Sequence, residues 1–296
     1  MNNVVAIVVT YNRKELLKEC VFKLRNQSCP LDILVIDNAS VDGTSELFNE
    51  LHAGLLYFNT GKNLGGAGGF NYGIKKAMEL GYKYLWLLDD DTMPTSYALE
   101  MFFKADKFLK GEYGFLTGKV LWKDDSICTM NIQKCTKWRR IKNFDIMQNV
   151  QYASFVSLFI KCEVIKAVGL PYKEFFIWAD DWEYTRRISK LKKSYYIPDS
   201  IVHHWCKSNI GADIVNTDYD RIDRFRYMYR NDVIMYRQDG IEGYFYLTIR
   251  NLLHIFKILM KGKDKMKRIK ILLESTASGL NFRPKIEHIK GVNQKA

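Results

Sequence analysis

The chain has 296 residues, room for one large domain or one domain with an appendage. Its 47% apolar content suits a globular core, and its net charge of +12 points to acidic partners: nucleotide phosphates, nucleic acid or an anionic membrane face. No run approaches the 18 or so apolar residues of a bilayer-spanning helix, and the six cysteines form no CxxC pair, which argues for reduced thiols and against a structural zinc site.

The first residues run straight into a strand without a basic leader, so no secretory signal is expected. Val4 to Val9 is short, apolar and rich in Val and Ile, the pattern of a buried parallel strand. The loop Thr10-Tyr11-Asn12-Arg13 follows. Leu16, Leu17, Cys20, Val21 and Leu24 then recur on one face of a helix over 14–25. Ile33 to Ile36 is the second strand and ends in Asp37-Asn38-Ala39-Ser40. Asp42-Gly43-Thr44 turns into a second helix through Leu47 and Phe48, and Leu55 to Phe58 is the third strand.

The run Asn63-Leu64-Gly65-Gly66-Ala67-Gly68-Gly69-Phe70-Asn71-Tyr72-Gly73 is neither a dinucleotide fingerprint nor a P-loop. It reads as a loop whose bare backbone can approach a ligand, or as a plain turn, before a helix towards Leu80. Tyr84 to Leu88 is the fourth strand, and Asp89-Asp90-Asp91 stands at its carboxyl end, where open α/β sheets bind ligands. Three adjacent carboxylates are costly without a balancing cation or donors. Oxygen ligands shared with phosphates suit Mg²⁺ or Mn²⁺; the plainer reading is an exposed acidic turn. The β-α-β-α alternation implies an α/β fold with a mostly parallel sheet and right-handed crossovers.

Beyond Asp91 the pattern loosens. Phe115–Trp122 and Val150–Ile160 are strand-like. The polar, basic and aromatic segment between them reads as a long functional loop. A helix is expected from Asp180 to about Lys190. Its acidic first turn suits the helix dipole, but Trp178 and Trp182 bracket the aspartates, and apolar surroundings raise a carboxyl pKa as a general base requires. Tyr195 to Ile197 is a short strand, after which Pro198 leads to His203 and His204 on a loop, candidates for a metal or phosphate contact. From about Asp218 onward the chain reads as helices: Tyr219–Gln238, then Ile241–Met260, then a basic turn before Ile271-Leu272-Leu273.

Taken in order, Val9–Arg13, Asp37–Ser40 with Asp42-Gly43-Thr44, Asn63 with its glycines, Asp89-Asp90-Asp91, Asp180-Asp181-Trp182-Glu183 and His204 resemble the inverting family-2 glycosyltransferases of GT-A fold. The resemblance covers about residues 4–210. It implies a catalytic domain over 1–215; the chain over 216–296 lies outside the resemblance and reads as a helical appendage. The resemblance also implies a nucleotide-diphospho-sugar donor and a divalent metal cofactor, Mn²⁺ or Mg²⁺. Thr10, Tyr11, Asn12, Arg13 and Asp37 would border the nucleoside. Asn63, Gly65 and Gly66 would close on the nucleotide together with Asp89 and Asp90. Asp91, Asp89 and His204 would hold the metal, with His203 the fallback. Asp181 resembles the base, Asp180 is its alternative, and Glu183 would be a supporting group or acceptor contact.

The glycine run, the triple Asp and the Trp-x-Asp-Asp-x-Glu-Tyr segment are most similar to bacterial galactofuranosyltransferases, which implies UDP-galactofuranose as donor. Rhamnosyltransferases using dTDP-rhamnose are near neighbours. A sugar nucleotidyltransferase would carry a glycine-rich loop after the first strand, and Thr10–Arg13 has none. A basic nucleic-acid-binding protein is the rival outside enzymes, but no nucleic-acid module is present. The acceptor expected is a lipid-diphosphate-linked saccharide at the cytoplasmic face of a bacterial membrane. Seven basic residues from Lys257 to Lys270, with Met266, Ile269, Leu272 and Leu273 able to share one helical face, suit a peripheral helix on anionic lipid. Packing on the catalytic domain or on another subunit is the alternative.

Overall fold

The computed structural model describes residues 2–50 and 55–289. It begins with β1 (Val4–Thr10), α1 (Lys14–Arg25), β2 (Asp32–Asp37), α2 (Leu47–Glu50), β3 (Leu55–Asn59), α3 (Gly65–Glu79) and β4 (Tyr84–Asp89). These four strands are parallel, and all seven residues of β1 are buried. Alternation along β1 divides the core. Val5, Ile7 and Val9 pack with Phe70 and Ile74 of α3, while Val4, Ala6 and Val8 pack with Leu17 and Val21 of α1.

The chain continues through β5 (Thr92–Pro94), α4 (Ala98–Phe108), β6 (Phe115–Leu121), β7 (Lys134–Thr136), β8 (Arg139–Arg140), β9 (Gln148–Val150), β10 (Leu158–Lys161), α5 (Cys162–Val168), α6 (Asp180–Leu191) and β11 (Ser194–His204). The sheet order is β3-β2-β1-β4-β10-β6-β11-β5, with β9 also on β11. β10 enters antiparallel between β4 and β6, so the sheet is mixed in its second half.

Three expectations change here. The run 150–160 is not one strand, because Val150 pairs with β11 while Leu158 pairs with β4 and β6, and the chain must turn between different partners. The glycine run is no open loop: it forms the opening of α3. A Cβ on Gly73 would lie 2.7 Å from Ile7 Cγ2, so bare glycine lets this helix settle onto β1. The paired histidines stand on a strand rather than a loop. Pro198, with no N–H to donate, falls in a bulge between Ile197 and Ile201, after which β11 resumes pairing with β6.

The helices α7 (Phe225–Arg237), α8 (Gly240–Lys261) and α9 (Lys265–Asn281) form the appendage. Ile222, Phe225, Tyr229, Ile258, Ile271 and Leu272 make one of its cores, which also takes in Ile214, Val215 and Trp178. Val233, Tyr236 and Leu247 make another, with Tyr152, Ala179 and Trp182. Residues around α6 thus complete both cores. Residues 290–296 lie outside the described residues. The expected apolar face of the last helix is split: Leu272 is buried and Ile269 partly so, whereas Met266 and Leu273 are exposed. Arg268 is buried as well, donating to the carbonyls of Lys263, Ile214 and Thr217.

Candidate active site

The parallel register carries Thr10, Asp37 and Asp89 to one edge of the sheet, where β1, β2 and β4 end together. Asp90 and Asp91 follow, both buried. Thr10 Oγ1 donates to Asp90 Oδ2 at 2.8 Å. Arg13 Nη1 donates to Asp90 Oδ1 at 3.1 Å and to Asp91 Oδ2 at 2.6 Å. His204 pairs with Thr92 in the β11–β5 ladder, and this register sets its Nε2 3.1 Å from Asp91 Oδ1. That oxygen is buried and accepts no hydrogen bond, so the contact is ionic and leaves a lone pair unused. His203, one residue earlier and pointing to the other face, meets Asp125 at 2.8 Å instead.

Burial lifts the Asp89 carboxyl to about 6, and the Asp91 charge adds to the shift. Burial also lifts Asp90 to about 7, against the pull of Arg13. Burial works against the Asp91 charge too, yet His204 and Arg13 hold that carboxyl below its ordinary range. For His204, burial opposes the positive charge and Asp91 overcomes it, raising the ring to about 12. Ligand atoms of Asp89, Asp91 and His204 lie within 4.8 Å of one another. Two carboxylates, one of them with an orphaned buried oxygen, and an imidazole fit a hard divalent cation such as Mn²⁺ or Mg²⁺.

The second carboxylate pair opens α6. Phe176, Trp178 and Ala179 just before it have φ of 64°, 66° and 65°, left-handed values that are strained for side-chain-bearing residues. Asn231 of α7 holds this loop. Its Nδ2 lies 3.0, 3.1 and 2.9 Å from the carbonyls of Phe175, Ile177 and Trp178. From the other side Ala67 N donates to Phe176 O at 3.2 Å. Gly65, at φ +69°, must lack a side chain, because a Cβ there would stand 2.0 Å from that same carbonyl.

Burial raises Asp180 to about 7, and burial with the Asp180 charge raises Asp181 well above its usual value. The Asp89 charge adds to both shifts, so the two carboxylate groups lie within electrostatic reach of each other. Asp181 Oδ1 accepts from Trp182 N at 2.7 Å. Glu183 is committed elsewhere: both its oxygens take a two-pronged ion pair from Arg187, at 3.0 and 2.9 Å. Arg187 also donates to the carbonyls of Val168 and Leu170. That arrangement leaves Glu183 no free oxygen for an acceptor and suits a supporting role.

The residues expected near the nucleotide divide. Tyr11 is exposed, and a Cβ on Gly66 would meet open space. Asn12 braces its neighbours: its N–H donates to Ser40 Oγ and its side-chain oxygen accepts from Val41 N. Asp37 is fully buried and accepts from Ser40 N and Tyr57 Oη. Asn63 Oδ1 accepts from Gly65 N at 2.8 Å. Arg13 neutralises the aspartates rather than standing free.

Sequence reasoning missed Asn38, whose amide ties β2 to Leu64 and Gly65, and Asn231. It also missed Cys128 and Asn131, which flank His204 Nδ1 at 3.8 and 2.8 Å. Asn38 lies inside the quoted Asp37–Ser40 segment but was given no role, and no local motif marks the other three; each acts across more than twenty residues of chain.

A model of the family described as Glycosyl transferase family 2 matches residues 5–169. The galactofuranosyltransferase GlfT1 of Mycolicibacterium smegmatis is 27% identical over 81% of this chain and 84% of its own. GlfT1 of Mycobacterium tuberculosis is 28% identical over 84% and 90%. Among solved structures, S. aureus TarS 1-349 aligns with a TM-score of 0.53 at 15% identity, covering 94% of this chain and 72% of that one. GalNAc-T7, solved with UDP, GalNAc and Mn2+, aligns with a TM-score of 0.63 at 14% identity over 92% of this chain and 54% of that one. The mixed sheet with carboxylates at its edge therefore has the GT-A architecture, and the chain belongs to glycosyltransferase family 2: it is a glycosyltransferase similar to galactofuranosyltransferases.

Proposed function

We propose that the enzyme is an inverting, cation-dependent transferase that moves galactofuranose from UDP-galactofuranose onto a lipid-diphosphate-linked saccharide. The observation that carries this reading is the opposition of two carboxylate groups in one site. One includes a buried oxygen with no hydrogen bond, and the other has its proton affinity raised by burial. The names of the GlfT1 relatives support the sugar, and the UDP bound in TarS and GalNAc-T7 supports the nucleotide.

A divalent cation on Asp89, Asp91 and His204 would neutralise charge gathering on the departing diphosphate. Arg13 keeps Asp90 and Asp91 together and offsets their repulsion. Asp181 takes the proton of the acceptor hydroxyl as its oxygen bonds to the anomeric carbon and the carbon–oxygen bond to UDP breaks. A single displacement inverts that carbon. Asp180 keeps the proton affinity of Asp181 high through its neighbouring charge. Asn231 and the Arg187–Glu183 pair hold the segment that presents them.

Peripheral association with the cytoplasmic face of a membrane completes the reading. Among the described residues no helix is long and apolar enough to cross a bilayer. The support is α8, where Ile241, Phe245, Leu252, Phe256 and Met260 are exposed at helical spacing, with Lys261, Lys263 and Lys265 exposed at its end. The test is release of UDP from UDP-galactofuranose with a lipid-linked acceptor, with and without excess chelator. Transfer from dTDP-rhamnose but not from UDP-galactofuranose overturns the donor, and full turnover in chelator overturns the cation.

A further inference from the structure

His204 has two ring nitrogens and the proposed function uses one. Nε2 faces Asp91, while Nδ1 faces a separate cluster built from the turn after β6 and the chain just beyond β11. Cys128 is fully buried there, and its N–H is fixed to Val120 O at 2.9 Å. Cys206 is half-buried and can reach Ser208 O. The two sulfurs and a His204 ring nitrogen lie within 4.8 Å of one another, and Cys128 Sγ is 3.8 Å from Nδ1.

We propose that Cys128, Cys206 and His204 form a second cation site, for a thiophilic divalent ion of the zinc class, sharing the imidazole with the carboxylate site. Tetrahedral zinc with ordinary bond lengths sets sulfur and nitrogen ligands about 3.6 Å apart and two sulfurs about 3.8 Å apart. The Cys128 Sγ–Nδ1 distance of 3.8 Å is close to that, and the 4.8 Å spread of the three ligand atoms needs only a small side-chain closure to reach it. Asn131 supplies an oxygen at the same point, 3.0 Å from Cys128 Sγ and 2.8 Å from Nδ1. Its amide is turned that way by donating to Ser154 Oγ at 2.9 Å. Two thiolates and an imidazole favour zinc, whereas the neighbouring carboxylates favour Mn²⁺ or Mg²⁺, so the two sites differ in what they select.

On binding, the three ligand atoms release their protons to solvent, and Nε2 keeps the one proton left on the ring. A neutral imidazole lends one lone pair. With Nδ1 taken by zinc, Nε2 carries its proton towards Asp91 and no longer serves the carboxylate site. Zinc therefore weakens the hard cation, a consequence that rests on the proposed function, whereas zinc binding itself does not.

The test is titration of metal-free protein with Co²⁺ as a spectroscopic stand-in. The expected result is a thiolate-to-cobalt charge-transfer band with tetrahedral visible absorption, bleached by one equivalent of Zn²⁺. Asp91→Asn keeps the band; Cys128→Ser and Cys206→Ser each remove it. Cys206 lies half-buried beyond the strand, so that variant answers the question even if Cys128→Ser fails to fold. Cobalt binding without the band, or a band unchanged in Cys206→Ser, overturns the site. Saturating Zn²⁺ should also weaken Mn²⁺-dependent UDP binding at least about tenfold in wild type and not in Cys206→Ser. Equal weakening in both overturns the shared ring, while the cobalt spectrum, which needs no substrate, still reports the site.

Discussion

Two groups of aspartates line the site, and their surroundings differ. Those at the end of β4 meet Arg13, Thr10 and His204 at 2.6 to 3.1 Å. Those at the start of α6 are buried with no cationic side chain bonded to them among the described contacts, and their proton affinity rises. In the first environment His204 and Arg13 hold the Asp91 charge and oppose, without cancelling, the burial that raises Asp89 and Asp90, so a further cation is favoured there. The second penalises negative charge and suits proton transfer. The same residue type takes opposite tasks because of what folds around it.

The largest break in this contrast is Asp91→Asn, which should bring turnover to background and abolish cation-dependent UDP binding, read by calorimetry with Mn²⁺. Wild-type UDP affinity in that variant would contradict the cation side. Asp181→Asn should keep UDP binding yet lose about 10²–10⁴-fold in turnover. If Asp180→Asn is crippled instead and Asp181→Asn is near normal, the base is the neighbouring residue.

Asn231→Ala tests whether the appendage builds the base side. Removing one amide from three buried carbonyls should cost about 1–3 kcal/mol in urea unfolding. It should also lower turnover more than UDP affinity; an equal loss in both would mean that the loop serves the whole site. A smaller effect is read by pH, where Asp180 acts alongside the raised Asp89 and Asp90. Because burial raises Asp180 to about 7, the folded protein holds a proton that the unfolded chain gives up. That stability is complete below about pH 4 and is lost as pH rises through about 7. Metal-free protein should unfold at lower urea at pH 8 than at pH 5, with a flatter dependence in Asp180→Asn; an unchanged slope would place the proton elsewhere. The smallest effect concerns α8. Changing Lys261, Lys263 and Lys265 to Glu should reduce co-sedimentation with anionic vesicles, each Lys contributing about 1 kcal/mol. Unchanged sedimentation together with a concentration-dependent dimer would give the exposed face to a second subunit.

Legibility followed the distance over which each feature is decided. β1, α1 and α6 were readable because their apolar periodicity is local, and α1 occupies the expected 14–25. The opening of α3 was misjudged because glycine disfavours helix, while contact with β1 and Phe176 rewards it. The end of β11 was misjudged because Pro198 looks like a stop, and a bulge carries the strand past it.

By itself the sequence determined the strand-end aspartates, the bracketed pair that opens α6 and the family, since each is written in short contiguous motifs. Only the tertiary structure decided that His204 rather than His203 meets Asp91, that Arg13 bridges two aspartates, and that Asn231 holds the loop before the base. Those choices depend on strand register and on side chains far apart in the chain. A one-residue change of register exchanges the faces of a strand, and no local composition records which register wins.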